Sequence, residues 1–160
     1  LAQRFNAREG ATMSGSGNRG YAGDISPKEA WDDLAQTGKA TLIDVRTAAE
    51  WAYVGVPTLS SIGKSTVLVE WDEFPSGELV PDFIGRLKAS LDKLGVDQDA
   101  PLYFICRTGN RSRHAAIAAT AAGFTQAYNV ATGFEGRLDE SRHRGTSESW
   151  KGAGLPWVQS

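Results

Sequence analysis

The chain has 160 residues, 41% of them hydrophobic and 22% charged, with a net charge of -2. That is enough chain for one domain with a real core, and the charge balance excludes a bulk attraction to nucleic acid or to an anionic membrane. The single cysteine, Cys106, excludes an intramolecular disulfide and any zinc site built from several thiolates. No apolar run approaches the roughly 20 residues that span a bilayer.

Residues 1–20 are rich in Gly, Ser, Asn and Arg and read as a flexible tail, leaving 21–160 for the domain. They carry no apolar segment of the kind a secretory signal needs, so the cytoplasm is the expected location. Ser26-Pro27-Lys28-Glu29 then opens a helix: Ser26 caps, Pro27 takes the first helical position and Glu29 reaches back. Ala30, Trp31, Leu34 and Ala35 share its apolar face, and Gly38 ends it. Thr41 to Val45 reads as a buried strand. Thr47-Ala48-Ala49-Glu50 is a second capping box, opening a short helix through Tyr53.

Val54 to Thr66 is turn-rich, Val67 to Val69 a short strand, and Trp71 to Val80 a loop. Pro81 to Leu94 is the clearest amphipathic helix, with Phe83, Ile84, Leu87, Leu91 and Leu94 on one face and Gly95 at its end. Pro101 to Ile105 is a buried strand, Arg111 to Ala122 an alanine-rich helix, and Ala127 to Val130 a further strand. Strands alternating with helices predict an α/β domain with a mainly parallel sheet of about five strands, helices on both faces, and a ligand site beyond the carboxyl ends of the strands.

Attention therefore falls on Cys106-Arg107-Thr108-Gly109-Asn110-Arg111-Ser112, a tight loop between strand and helix with the cysteine at its start. Loop amides in such a position form an anion-binding nest, the next helix presents its positive end, and Arg107 and Arg111 add charge. Each effect favours thiolate over thiol. Gly109 permits the angles that close a small ring of amides, and the Thr108 and Ser112 hydroxyls lie within reach of a bound anion. The plainer alternative is an inert buried cysteine beside solvated arginines.

The segment Cys106 to Ser112 resembles the active loop of the rhodanese family. Ile43-Asp44-Val45-Arg46 with Glu50-Trp51 is similar to that family's upstream motif, and Gly133-Phe134 with Trp150-Lys151-Gly152-Ala153-Gly154-Leu155-Pro156 to its closing segment. The motifs span Asp24 to Trp157 in the family's order. Two departures stand out: Val54-Gly55-Val56-Pro57 lacks the histidine common at that place, and an extra polar stretch, Arg137 to Ser149, precedes Trp150. That stretch is expected as a solvated loop, with a place beside the site mouth as the alternative.

The resemblance implies a sulfurtransferase that moves a sulfane sulfur from a donor such as thiosulfate to a thiol or cyanide through a persulfide on Cys106. It implies no metal and no organic cofactor. With one cysteine the acceptor is external, a small molecule or a protein thiol, and neither nucleic acid nor membrane is a partner. Arg107, Thr108, Gly109, Asn110, Arg111 and Ser112 are the expected substrate-binding loop. Arg111 is expected to brace the loop or touch the donor, and Arg107 to face the entrance. Asp44 and Arg46 are expected to pair with loop groups or to serve as strand-end caps, and Glu50 to complete its capping box or to anchor the loop.

His114 and His143 are expected at the surface. Trp51 and Trp71 are expected in the core or at its edge, Trp71 with the alternative of walling the pocket. Two other classes stay open. Cysteine phosphatases and arsenate reductases of related fold use the same nest, with five residues between cysteine and arginine; here there are four, Arg107 to Asn110. A non-catalytic rhodanese-like binding or regulatory module is the third reading.

Overall fold

The computed structural model describes residues 19–160, so the tail expected over 1–20 lies almost wholly outside the described residues. Arg19 and Gly20 are described, and the Arg19 guanidinium lies 3.5 Å from the Asp24 carboxylate. The elements are β1 (Gly23–Ile25), α1 (Pro27–Gln36), β2 (Thr41–Asp44), α2 (Ala48–Tyr53), β3 (Val56–Pro57), β4 (Val67–Leu68), α3 (Phe83–Lys93), β5 (Leu102–Ile105), α4 (Asn110–Ala121), β6 (Ala127–Val130) and β7 (Trp157–Val158).

Five strands form one sheet in the order β1-β6-β5-β2-β4, and every pairing in it is parallel. The α/β expectation of a parallel five-stranded sheet therefore holds. Strand alternation divides the core into two layers. Ile43, Val45, Leu102, Phe104, Cys106 and Ala127 face one layer, closed by Phe83, Leu87 and Leu91 of α3 and by Ala115, Ala116 and Ala119 of α4. Leu42, Tyr103, Ile105, Tyr128 and Val130 face the other, closed by Ala30 and Leu34 of α1 and by Phe134 and Trp150. The central strands β2, β5 and β6 are buried along their whole length.

Both predicted capping boxes form. Ser26 accepts the Glu29 N–H while Glu29 accepts the Ser26 N–H, and Thr47 and Glu50 make the same exchange. The helix expected from Pro81 starts instead at Phe83. Asp82 adopts left-handed angles, with φ 56°, and its carboxylate caps the Gly85 N–H.

Three strands were not anticipated. Gly23 to Ile25 is too short to show a period, and becomes strand β1 only by pairing with Tyr128 to Val130. Val56–Pro57, inside the turn-rich stretch, pairs antiparallel with Trp157–Val158. That pairing returns the end of the chain to α2.

The polar stretch Arg137 to Ser149 is mostly exposed, as expected of a surface loop, but Ser149 is buried. It is also ordered by its own bonds. Asp139 accepts the Ser141 and His143 amides, Arg144 Nη1 donates to the Gly136 carbonyl at 2.8 Å, and the Gly145 N–H donates to the Glu135 carbonyl. No helix among the described residues is long and apolar enough to cross a membrane.

Candidate active site

The parallel registers Asp44↔Ile105 and Ile25↔Val130 bring the carboxyl ends of β2, β5, β6 and β1 to one edge of the sheet. Cys106 follows β5 at that edge, where a doubly covered sheet places its ligand crevice. Its residue exposure is 1%. The thiol sulfur accepts the Gly109 N–H at 3.2 Å and lies 3.2 Å from the Ser112 hydroxyl oxygen. Arg107, Thr108 and Asn110 are exposed around it, whereas Gly109 and Ser112 are buried.

Gly109 has φ 104°, and a Cβ there would overlap the Ala131 carbonyl, so only glycine closes this turn. The loop is also held from outside. The Phe134 N–H donates to the Cys106 carbonyl at 2.8 Å, and the Glu135 and Gly136 amides both donate to the Arg107 carbonyl. The 133–136 segment is therefore the loop's outer clamp. The polar stretch joins that clamp through Glu135 and Gly136, which places it beside the loop.

Arg111 braces the loop. Its guanidinium makes two parallel bonds to Glu50, of 2.7 and 3.0 Å, and a third contact of 3.4 Å to Asp72. Glu50 thus serves both expected roles, capping α2 and anchoring the loop. Burial opposes the charge on the Glu50 carboxylate, but the Arg111 hydrogen bonds and charge override it and hold the carboxyl below its ordinary value. Burial likewise opposes the Arg111 cation, and Glu50, Cys106 and Asp72 outweigh that and keep it protonated.

Glu50→Gln and Arg111→Ala are each expected to cost about 1–2 kcal/mol, since the pair is bidentate but one-fifth exposed. The double variant should cost little more than either single one. A folded value below the ordinary one means that the pair stabilises above about pH 4.5 and that its contribution is lost as pH falls through the depressed value. Urea midpoints at about pH 7 and about pH 3 for the native and Glu50→Gln chains measure that window. Equal sensitivity of the two chains to pH would refute the assignment.

Asp44 and Arg46 do not touch the loop side chains, contrary to the expectation that they pair with a loop arginine or amide. They pair with each other, both with side chains 0% exposed, at 2.7 Å. Asp44 also accepts the Arg46 backbone N–H. Arg46 donates to the Gly55 carbonyl at 2.8 Å and stacks over the Phe134 ring at 4.2 Å, while its Nη1 has no hydrogen-bond partner. The reason is reach: the two side chains are two residues apart at a strand end and satisfy each other before any loop group can.

Trp71 packs edge-on against Phe83, with centroids 5.0 Å apart, so it is a core-edge residue. Trp51 is half-buried. His114 is exposed, with Nδ1 3.0 Å from the Asn110 carbonyl, and His143 is exposed in the polar stretch. Among the described residues no group of three or more histidine, cysteine or acidic side chains is placed to hold a metal ion.

Two site residues escaped the sequence reading. Asp72 joins the Arg111 brace from a loop with no periodicity to mark it. Asn129 accepts the Ser112 hydroxyl at 2.6 Å and donates to the Gly109 carbonyl and the Asp24 carboxylate, both at 3.1 Å. The available signal was a lone amide in the otherwise apolar strand Ala-Tyr-Asn-Val.

A parallel α/β sheet with a cysteine-led loop between a central strand and a helix, clamped by the segment after the next strand, defines a rhodanese-like domain. Residues 22–160 match the family model described as the STR4 middle domain, and the chain belongs to that family. It is 27% identical over 134 residues to rhodanese-like domain-containing protein 4, chloroplastic, of Arabidopsis thaliana, covering 84% of this chain and 25% of that protein. It is 36% identical over 109 residues to a Mycobacterium tuberculosis protein named "Probable adenylyltransferase/sulfurtransferase MoeZ", covering 68% of this chain and 23% of that protein. The crystal structure of Rv0390 from M. tuberculosis superposes with a TM-score of 0.79 at 47% identity, covering 88% of this chain and 99% of that one.

Proposed function

We propose that this domain is a sulfurtransferase that carries a sulfane sulfur as a persulfide on Cys106. The observation that carries the reading is a lone cysteine held between the Gly109 N–H and the Ser112 hydroxyl at the carboxyl end of β5. In the first half-reaction the Cys106 thiolate attacks the outer sulfur of thiosulfate. A new S–S bond forms, the donor's S–S bond breaks, and sulfite leaves with the electron pair. In the second, a cyanide or thiolate acceptor attacks the outer persulfide sulfur and the Cys106 thiolate departs. The chain needs no redox partner for either step.

Burial of Cys106 favours a donor with an unhindered terminal sulfur, because little else reaches the thiol. Arg107, exposed in the loop, is the cation free to attract such an anion, while Arg111 is committed to Glu50 and Asp72. That commitment also weighs against a phosphatase or arsenate reductase. A guanidinium already bidentate to a carboxylate has no open fork for a tetrahedral oxyanion, and four residues between Cys106 and Arg111 make a small cradle. The intact loop weighs against a purely non-catalytic module.

The test is the intact mass of the protein after incubation with thiosulfate and then with cyanide. A gain of one sulfur atom, removed by cyanide as thiocyanate, is expected. No gain with thiosulfate or any other sulfane donor would transfer the weight to the binding module, and hydrolysis of an aryl phosphate to the oxyanion enzymes.

A further inference from the structure

We propose that Asn129 is a positioning residue that fixes the direction of the Ser112 hydroxyl, so that the hydroxyl accepts from the Cys106 thiol instead of donating to its sulfur. The inference rests on Cys106 being the nucleophile. Strand alternation turns the Asn129 side chain to the layer of Ala127, opposite Tyr128 and Val130, and toward α4, where Ser112 sits. Asn129 is 3% exposed and Ser112 0% exposed, so water does not compete for their bonds.

The amide orientation follows from its partners. The Gly109 carbonyl and the Asp24 carboxylate only accept, so the nitrogen of the amide must face them, at 3.1 Å each. The amide oxygen then faces Ser112 at 2.6 Å and demands a donor. Ser112 has one hydrogen, and Asn129 takes it. The Ser112 oxygen therefore presents lone pairs to the Cys106 sulfur 3.2 Å away, and the hydrogen in that contact comes from the thiol.

Loss of the thiol proton breaks this arrangement whichever way the serine responds. If the hydroxyl stays on Asn129, its lone pairs face a thiolate. If it turns to the thiolate, the buried Asn129 oxygen loses its donor. The Gly109 N–H supports the anion in both cases. The charges that bear on the sulfur are Arg111, neutralised by Glu50 and Asp72, exposed Arg107, and Asp24 behind Asn129, which also accepts the Tyr21 hydroxyl and pairs with Arg19. Asn129 thus withholds from a thiolate the hydroxyl donor that lies beside it.

Alkylation of Cys106 by iodoacetamide tests this without any sulfur donor, so failure of persulfide formation would leave the result readable. In Asn129→Leu the serine is released to donate to the thiolate. The alkylation–pH profile should move to lower pH by about one unit, the tenfold that one ordinary hydrogen bond carries, with a lower alkaline plateau because a hydrogen-bonded thiolate is the weaker nucleophile. In Ser112→Ala, adding Asn129→Leu should change nothing. An unmoved profile, or the same shift without Ser112, would overturn the proposal. The unaltered chain supplies a second readout: its one cysteine gives a single S–H stretching band, expected at the lowered frequency of a donating thiol and raised in Ser112→Ala. A band at the free-thiol frequency in the native chain would also overturn it.

Discussion

Cys106→Ser is expected to lower thiosulfate:cyanide sulfur transfer by at least about 10³-fold, the scale on which enzymes lose rate when a covalent nucleophile is removed. A serine hydroxyl does not ionise near neutral pH and forms no persulfide, so the mass gain with thiosulfate should vanish with the turnover. Stability should change little. The site is small and buried, Gly109 N–H and Ser112 still find an oxygen to bond, and the exchange of sulfur for oxygen leaves only a slight gap. Steady-state thiocyanate production, read beside a thermal melt, separates loss of chemistry from loss of fold. Turnover retained by a folded serine variant would exclude the persulfide route.

Asp44→Ala is expected to be the most destabilising single charge deletion in the domain, at about 3–5 kcal/mol, because it strands a guanidinium inside the protein. The Arg46 side chain is 0% exposed, and Asp44 is the carboxylate hydrogen-bonded to it, whereas Glu50 acts on it only through space. The Gly55 carbonyl and the Phe134 ring remain to it, and neither neutralises a cation. Replacing both members, as Asp44→Leu with Arg46→Met, should recover most of the loss, since two apolar side chains of similar bulk need no partner in that place. Urea denaturation of the two single variants and the double variant measures the coupling. Additive losses would show that the pair does not act as a unit.

The same pair shows how the fold reaches the loop without touching its side chains. Arg46 lies on the Phe134 ring, and the Phe134 amide holds the Cys106 carbonyl. On the other side, Glu50 caps α2 and grips Arg111 at the start of α4. Two carboxylates from the β2–α2 region therefore support the loop by separate routes, one through an aromatic ring and one through an arginine.

The residue string alone determined the α/β class, both capping boxes, the buried strands β2 and β5, the strand β6, and the position of Cys106 at a strand-to-helix loop. All of these rest on neighbours in sequence: a serine or threonine three residues before a glutamate, a short mainly apolar run, a glycine at a turn. The tertiary structure alone decided the rest, because those features depend on which distant segments meet. β1 exists only against β6, and β3 only against β7. Arg111 gained Glu50 and Asp72 from 61 and 39 positions away, which made it the brace that was one of its two expected roles. Asp44 and Arg46 were legible as two charged residues at a strand end, but only complete burial of both made them partners to each other rather than to the loop. Asn129 drew no notice in its strand; the fold set it beside Ser112, where a buried amide must be satisfied and so governs the hydroxyl it binds.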